Sequence, residues 1–441
     1  MNPDAWLPVV LVLLCVAPLA PLGLALMNTG LGRAHSAAHA LLSSLLALAA
    51  AALGIWSLGF AWSGLAHAPD HVVHLAGHAW SLLGAGQFFV RGSAAPVQLV
   101  ALLWLLLIAG TGALIPVGAG ADRWKLGAAV GAAFLLGGLL LPLVAHQSWG
   151  GGALSRLGVE LGYGHGWIDV GGAAGLHVLG GLSALCLAWT LGPRRGKFGA
   201  HHTPNAIPGH NAVYVLFGAL LSLVGWISLN LLGAVIQGGA GAGELLLAAI
   251  NTLLAAAAAA LSTAAVTRLR FGKPDASLCA NGWLGGLVAI SAGCLFFAPA
   301  VAVLVGAAAG VLVPMGVEWL ELRWGVDDPT GAIAVHGLAG IWGLLAVGLL
   351  ATGGGDGWNG VAGPVRGWLA GDAGQGRAQV LGVAFLLGVM LPLVYGGHLL
   401  LNRLRPYRVS LDAERQGLDL HELGANAFPE FVAHTDEFTL H

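Results

Sequence analysis

Charge is scarce in this chain: only 9% of its 441 residues are Asp, Glu, Lys or Arg, while 57% are hydrophobic. A water-facing surface of ordinary composition cannot be built from so few charges, which leaves a lipid-facing one as the simplest solution. The net charge of -2 carries no basic excess of the kind that marks nucleic-acid binding, so nucleic acid is excluded as an expected partner. Cysteine is sparse too. Cys15, Cys186, Cys279 and Cys294 each lie inside an apolar run, with no short spacing that would make a disulfide frame or a zinc knuckle, and they read as small packing residues. No nucleophile elbow and no His-Glu-x-x-His pattern is present, so the sequence points neither to an enzyme nor to a cofactor.

What the chain has is long apolar runs. A spanning helix needs about 20 mostly apolar residues, and eleven such runs stand out, near 7–30, 38–63, 96–119, 126–146, 171–191, 211–234, 243–267, 278–297, 299–319, 331–351 and 380–402. Between the eighth and ninth the only punctuation is Ala298-Pro299. The first run follows Met-Asn-Pro-Asp, lacks a basic flank and is longer than a signal-peptide core, so it reads as a membrane span. Fourteen of the 18 Lys and Arg residues fall in connections after odd-numbered spans or in the tail; only Arg91, Arg156, Arg366 and Arg377 fall after even-numbered ones. Basic residues are retained on the cytoplasmic side, so the N-terminus is expected outside and the C-terminus inside a cell (inner) membrane. The expected organisation is a transmembrane domain over 1–402 and a cytoplasmic tail over 403–441.

Glycine is abundant, at 71 residues, and scattered through the apolar runs, as in Gly285-Gly286 and Gly396-Gly397. Small residues let helix backbones approach closely in lipid, so close packing, and not a nucleotide loop, is the expectation. Two segments repeat without gaps: Asp169-Val-Gly-Gly-Ala-Ala-Gly-Leu-His177-Val-Leu-Gly-Gly181 and Asp328-Pro-Thr-Gly-Ala-Ile-Ala-Val-His336-Gly-Leu-Ala-Gly340. They belong to spans five and ten. Five spans between equivalent positions reverse the direction of the second half, which predicts an all-α polytopic fold of five-plus-five inverted repeats with a final eleventh helix. In such folds the transported species crosses at the interface of the repeats near the midplane. Each imidazole lies eight residues, about 12 Å of α-helix, beyond its Asp. An ionisable side chain at that depth is a functional candidate by default. A single buried histidine more often just bonds a neighbouring helix; recurrence at symmetric positions reverses that preference. Asp169 and Asp328 sit at span starts, where capping of free backbone N–H groups is the competing explanation for a carboxylate.

These residues resemble the ammonium transporter/Rhesus protein family. The pattern is carried by Trp149-Gly150-Gly151-Gly152, by Asp169 through His177, and by His210-Asn211 ahead of Gly225-Trp226 and Asn230. It continues through Asp327-Asp328-Pro329 to His336-Gly337, and in the tail as Gly417-Leu418-Asp419 with Asn426-Ala427. The resemblance implies an eleven-span homotrimer with a narrow pore through each subunit, lined by the His177–His336 pair. It implies that Trp149 recruits ammonium at the outer mouth by cation-π attraction, supported by Asp169, and that the tail meets a cytoplasmic nitrogen-signalling regulator. The sequence departs from the family at four places. Ile108 and Leu229 occupy the gate positions where a pair of phenylalanines is usual. Gly233 replaces a recruitment-site serine, and Gly331 replaces a second acidic residue after Asp-Asp-Pro.

The function expected is therefore passage of ammonium or ammonia through a twin-histidine pore, with a sensor whose pore serves as a ligand pocket as the alternative that the departures favour. Outside that reading stand His67, His71, His74 and His78, spaced 4, 3 and 4. On a helix all four share one face, which suits zinc or copper, or an amphipathic stretch among lipid headgroups.

Overall fold

The computed structural model describes residues 3–66, 70–92, 95–199, 203–238 and 240–428. Among them, ten helices are long and apolar enough to cross a bilayer. Spans one to seven are Trp6–Leu31, Ala34–Trp62, Pro96–Ala119, Leu126–Ser148, Ala173–Leu191, Ala212–Gly238 and Ala242–Phe271. The shorter apolar helix Ala276–Ser291 is span eight, and Pro299–Trp324, Ile333–Leu350 and Ala373–Leu404 are spans nine to eleven. Pro299 separates eight from nine as expected: it opens its helix in the first turn, where a missing N–H costs nothing. Spans four and eleven each widen to a π-type turn, Leu136–Leu140 and Leu386–Met390, just before Pro142 and Pro392. The wider turn makes room for a ring that would otherwise strike the carbonyl of the turn before it.

Connections sort to two ends of the bundle by parity. At one end the link after span two meets that after span four through His78 Nδ1 and Glu160, 2.9 Å apart. At the same end Asn359, after span ten, donates to the carbonyls of His165 and Trp167. At the other end the links after spans one, three, five and nine meet each other and the tail. Arg33 N donates to Asp122, and Arg194 bonds Asp327 through two nitrogens at 3.0 Å each and Asp122 at 3.1 Å. The backbone N–H of Arg195 donates to Glu414 of the tail, which also pairs with Arg408 at 2.9 Å. A missed or extra span would have mixed these two sets.

Arg123, Arg194, Asp122 and Asp327 are all buried. Burial alone would raise the Asp327 carboxyl, but Arg194 and Arg123 hold it below the usual carboxylate range. A depressed acid stabilises the fold fully above the ordinary value of 3.8 and loses that contribution only as pH falls through its lower folded value. The end cluster is therefore expected to stay intact at pH 5, as read by protease resistance of the tail in detergent. Asp327→Asn is expected to cost about 3–5 kcal/mol by leaving the buried Arg123 and Arg194 guanidinium groups with Asp122 in place of two carboxylates, measured as a fall in thermal midpoint. The tail closes over this end, where the Asp419 carboxylate accepts from the N–H groups of Ala38 and His39 and Glu422 accepts from that of Leu126.

Spans five and ten cross at the centre of the bundle, and the repeat is visible atom by atom. Gly181 lies so close to the backbone of Gly337 that a Cβ would overlap it, and a Cβ on Gly340 would stand 2.7 Å from Val178. Those two contacts are equivalent under the repeat, since 178 and 181 map onto 337 and 340. Gly181→Ala is accordingly expected to force the crossing apart at a cost of about 1–3 kcal/mol, read as a lower melting temperature.

The histidine stretch after span two corrects the helical expectation. Asp70–Leu75 and His78–Gly84 are antiparallel strands of a hairpin, with Leu75 opposite His78 and a two-residue turn at Ala76 and Gly77 between them. Both turn residues have positive φ, 54° and 83°, the geometry of a tight hairpin turn that matches strand twist. His71 and His74 lie in the first strand, His78 in the second is engaged with Glu160, and His67 lies outside the described residues. Among the described residues no three His, Cys, Asp or Glu side chains gather as metal ligands, because strand geometry replaces the helical face that would have aligned them.

Candidate functional site

Each half of the repeat builds the same device. Asp169 accepts from the N–H groups of Gly172, Ala174 and Gly175 at 3.1, 3.0 and 3.4 Å, and Asp328 accepts from that of Ile333 at 2.8 Å. Ala174 and Ile333 are themselves repeat equivalents. The carboxylates thus cap the start of two turns, Ala173–Val178 and Ile333–Leu338, both wound wide instead of as the α-helix expected from the sequence. Such π-type turns shift the side chains that follow relative to the rest of the helix. Here each carries one imidazole inward.

The two imidazoles meet. His177 Nδ1 and His336 Nδ1 are 3.3 Å apart, and the rings, at 0% and 1% exposure, lie 5.3 Å between centroids and 23° from parallel. Two Nδ1 atoms share a hydrogen bond only if one ring carries its proton there and the other does not. In a neutral pair the donating ring then has a bare Nε2 and the accepting ring an Nε2–H. The pair therefore offers one acceptor and one donor to whatever lies at its ends, and the polarity reverses when both tautomers switch. His177 Nε2 is buried with no protein partner. Trp226 of span six stacks face to face on His177 at 4.9 Å and 6°, fixing the ring plane. Trp226 was visible in the sequence only as part of the Gly225-Trp226 motif.

Toward the end where Trp149 lies, the arrangement differs from what the sequence alone suggests. Trp149 donates its indole N–H to the backbone carbonyl of Asp169 at 2.6 Å, so it is the main chain of Asp169, not its carboxylate, that holds the ring. The ring covers the turn bearing His177: a Cβ on Gly175 would sit 3.0 Å from Trp149 Cη2. Ile108 and Leu229, expected from the resemblance at the gate positions, are both buried. Above them a residue that sequence reasoning missed supplies the aromatic surface. Trp104 of span three is 0% exposed, lies 4.6 Å from Trp149 between ring centroids, and donates to the Leu229 carbonyl at 3.2 Å. A Cβ on Gly233 would overlap the Val170 carbonyl and stand 3.1 Å from Trp104 Cζ2, so both the Val170 main chain and this indole pack against the bare glycine.

On the opposite side of the pair, toward the tail, His336 opens on a cavity whose polar lining is Asn28, Asn281 and Thr330. Asn28 donates to the Leu114 carbonyl and Asn281 to that of Thr330, which leaves uncharged oxygens there. Gly331, which replaces the second acidic residue of the resembled pattern, stands beside the Asn281 amide. The polar side chains lining this cavity beside His336 are thus two amides and a hydroxyl, all uncharged.

Residues 5–428 match the Ammonium Transporter Family. The chain is 34% identical to ammonium transporter Amt2 of Archaeoglobus fulgidus, a likeness covering 100% of this chain and 92% of that protein. It is 32% identical to ammonium transporter 1 member 3 of Solanum lycopersicum over 92% of this chain and 89% of that one. Among solved structures it resembles one titled a sensor Amt protein, with TM-score 0.80, 26% identity and coverage of 94% and 96%. Candida albicans Mep2 shares the fold at TM-score 0.78, 23% identity and coverage of 99% and 92%. With the match running through all eleven spans and onto the tail, the chain belongs to the ammonium transporter family, a family of membrane transporters and not of enzymes.

Proposed function

We propose that the chain passes ammonium nitrogen across the membrane along the His177–His336 pair. The observation that carries this reading is the 3.3 Å contact between two buried imidazoles delivered by mirrored segments. A bare ammonium ion entering a low-dielectric path costs tens of kcal/mol by Born reasoning. A neutral ammonia molecule, by contrast, both donates and accepts, and the pair presents one group of each kind. Ammonium is captured near Trp149, gives up its proton, and crosses as ammonia; a proton is returned at the far side or left behind. The direct test is uptake of methylammonium and ammonia by proteoliposomes holding the purified chain, where permeability equal to empty liposomes would refute transport.

Around that core we place the rest of the reading: a homotrimer in the cell membrane, N-terminus outside, a transmembrane domain over 1–402, and a cytoplasmic tail over 403–441 that engages a nitrogen-signalling regulator. The segregation of basic connections supports the orientation, and the tail's grip on Ala38, His39 and Leu126 supports coupling of tail to bundle. A second reading is favoured by one specific observation, the fully buried Trp104 packed on Trp149. It makes the site a pocket that registers ammonium and reports through the tail. Ligand binding without flux distinguishes it.

A further inference from the structure

Spans ten and eleven touch through glycine: a Cβ on Gly348 would stand 3.0 Å from the Cα of Gly376. Two helices that meet backbone to backbone leave a notch on their outer flank. Here that notch is a groove of about 780 Å³, floored by Trp342, Leu345, Leu349, Val380 and Leu381. The volume lies in the range of about 300–1,000 Å³ that holds a drug-sized molecule. Val380 and Leu381 are exposed, as is Trp368, which also lines the groove. In a bilayer this surface faces acyl chains, and Trp368 stands where interfacial tryptophans gather.

One cation marks the mouth. Arg377 lines the groove and lies over the Tyr163 ring at 5.8 Å, which fixes its direction without neutralising it. Among the described residues it forms no ion pair. The nearby Asp372 spends its carboxylate on the N–H groups of Gly374 and Gln375 at the head of span eleven. In a chain with 18 basic residues, most of them drawn to the other end, an unpaired guanidinium beside an apolar groove calls for an anion attached to a hydrocarbon.

We propose that this groove binds one anionic phospholipid, its phosphate on Arg377 and an acyl chain along the Trp342–Leu381 floor. Guanidinium and phosphate suit a forked, charge-assisted contact, and the glycine crossing makes the space for the chain. The lipid would brace spans ten and eleven, and with them the segment 165–168 that Gln375 and Gln379 of span eleven hold by hydrogen bonds.

The full chain in mild detergent, titrated with phosphatidylglycerol or phosphatidylcholine and followed by native mass spectrometry, tests the site. Phosphatidylglycerol should bind in preference, and Arg377→Ala should weaken it about tenfold, the size of one charge-assisted contact, while Arg377→Lys keeps most of the preference. Val380→Trp, which fills the groove from an exposed position, should reduce both lipids. Arg377 is itself exposed, so its variants should keep the wild-type elution volume and melting temperature in lipid-free detergent. Equal binding of the two lipids, an unchanged preference in Arg377→Ala, or cross-linking of cysteines placed at 380 in two copies of the chain would each overturn the proposal, the last by making this face a protein interface.

Discussion

Replacing both His177 and His336 with alanine is expected to lower ammonia and methylammonium flux in proteoliposomes about a hundredfold or more. Each imidazole offers the crossing molecule hydrogen bonds in a region with few others, and leaving a polar group unpaired costs about 1–3 kcal/mol. Losing the pair's hydrogen bonds, at the upper part of that range, raises the barrier by about 2.7 kcal/mol, which is a hundredfold in rate. The single variants separate the roles. His336→Ala leaves His177 stacked on Trp226 but without its Nδ1 partner, and His177→Ala strips the pair from the Trp149 side. Because the two rings share one hydrogen bond, the two losses should not add: either single variant should produce most of the double variant's effect. Melting curves must accompany the flux, since both rings are packed. Equal rates in wild type and double variant would end the proposed role.

The parts of this architecture that announce themselves in the sequence are those with a period or an offset. Eleven apolar runs, the parity of the basic connections and the Asp-to-His segments 159 residues apart were readable because each constrains many residues at once. Boundaries were less so. Span eleven was expected from 380 and begins at Ala373, because Gln375 and Gln379 look like the polar end of a loop yet are buried, bonding backbone groups of 165–168 and Leu344. The hairpin at 70–84 had its own signal, the Val72-Val73 pair followed by Ala76-Gly77, but a 4-3-4 histidine spacing that also fits a helix obscured it. Trp104 had no signal at all. It lies in a run so uniformly apolar that hydropathy cannot separate an indole facing the bundle interior from a lipid-facing one, and its neighbour Gly233 lies more than a hundred residues away in the sequence.

That pairing of a large residue with a distant small one leads to the second large effect. Trp104→Leu should raise methylammonium flux about tenfold, a barrier change of about 1.4 kcal/mol. The indole is wedged between Trp149, the Leu229 carbonyl and Gly233, on the approach from Trp149 to His177. Leucine keeps the apolar character of the position and surrenders the flat ring that spans the gap. The packing cost should fall below the about 3–5 kcal/mol of a tryptophan-to-alanine truncation, so the fold should survive, as a melting curve will show. Gly233→Ser probes the other side of that packing: its side chain would overlap the Val170 carbonyl, so it should destabilise the chain with or without Trp104. Methylammonium flux unchanged by Trp104→Leu would mean the indole is merely a packing residue, whereas flux that appears only in the variant would place the native chain with pockets that sense ammonium instead of conducting it.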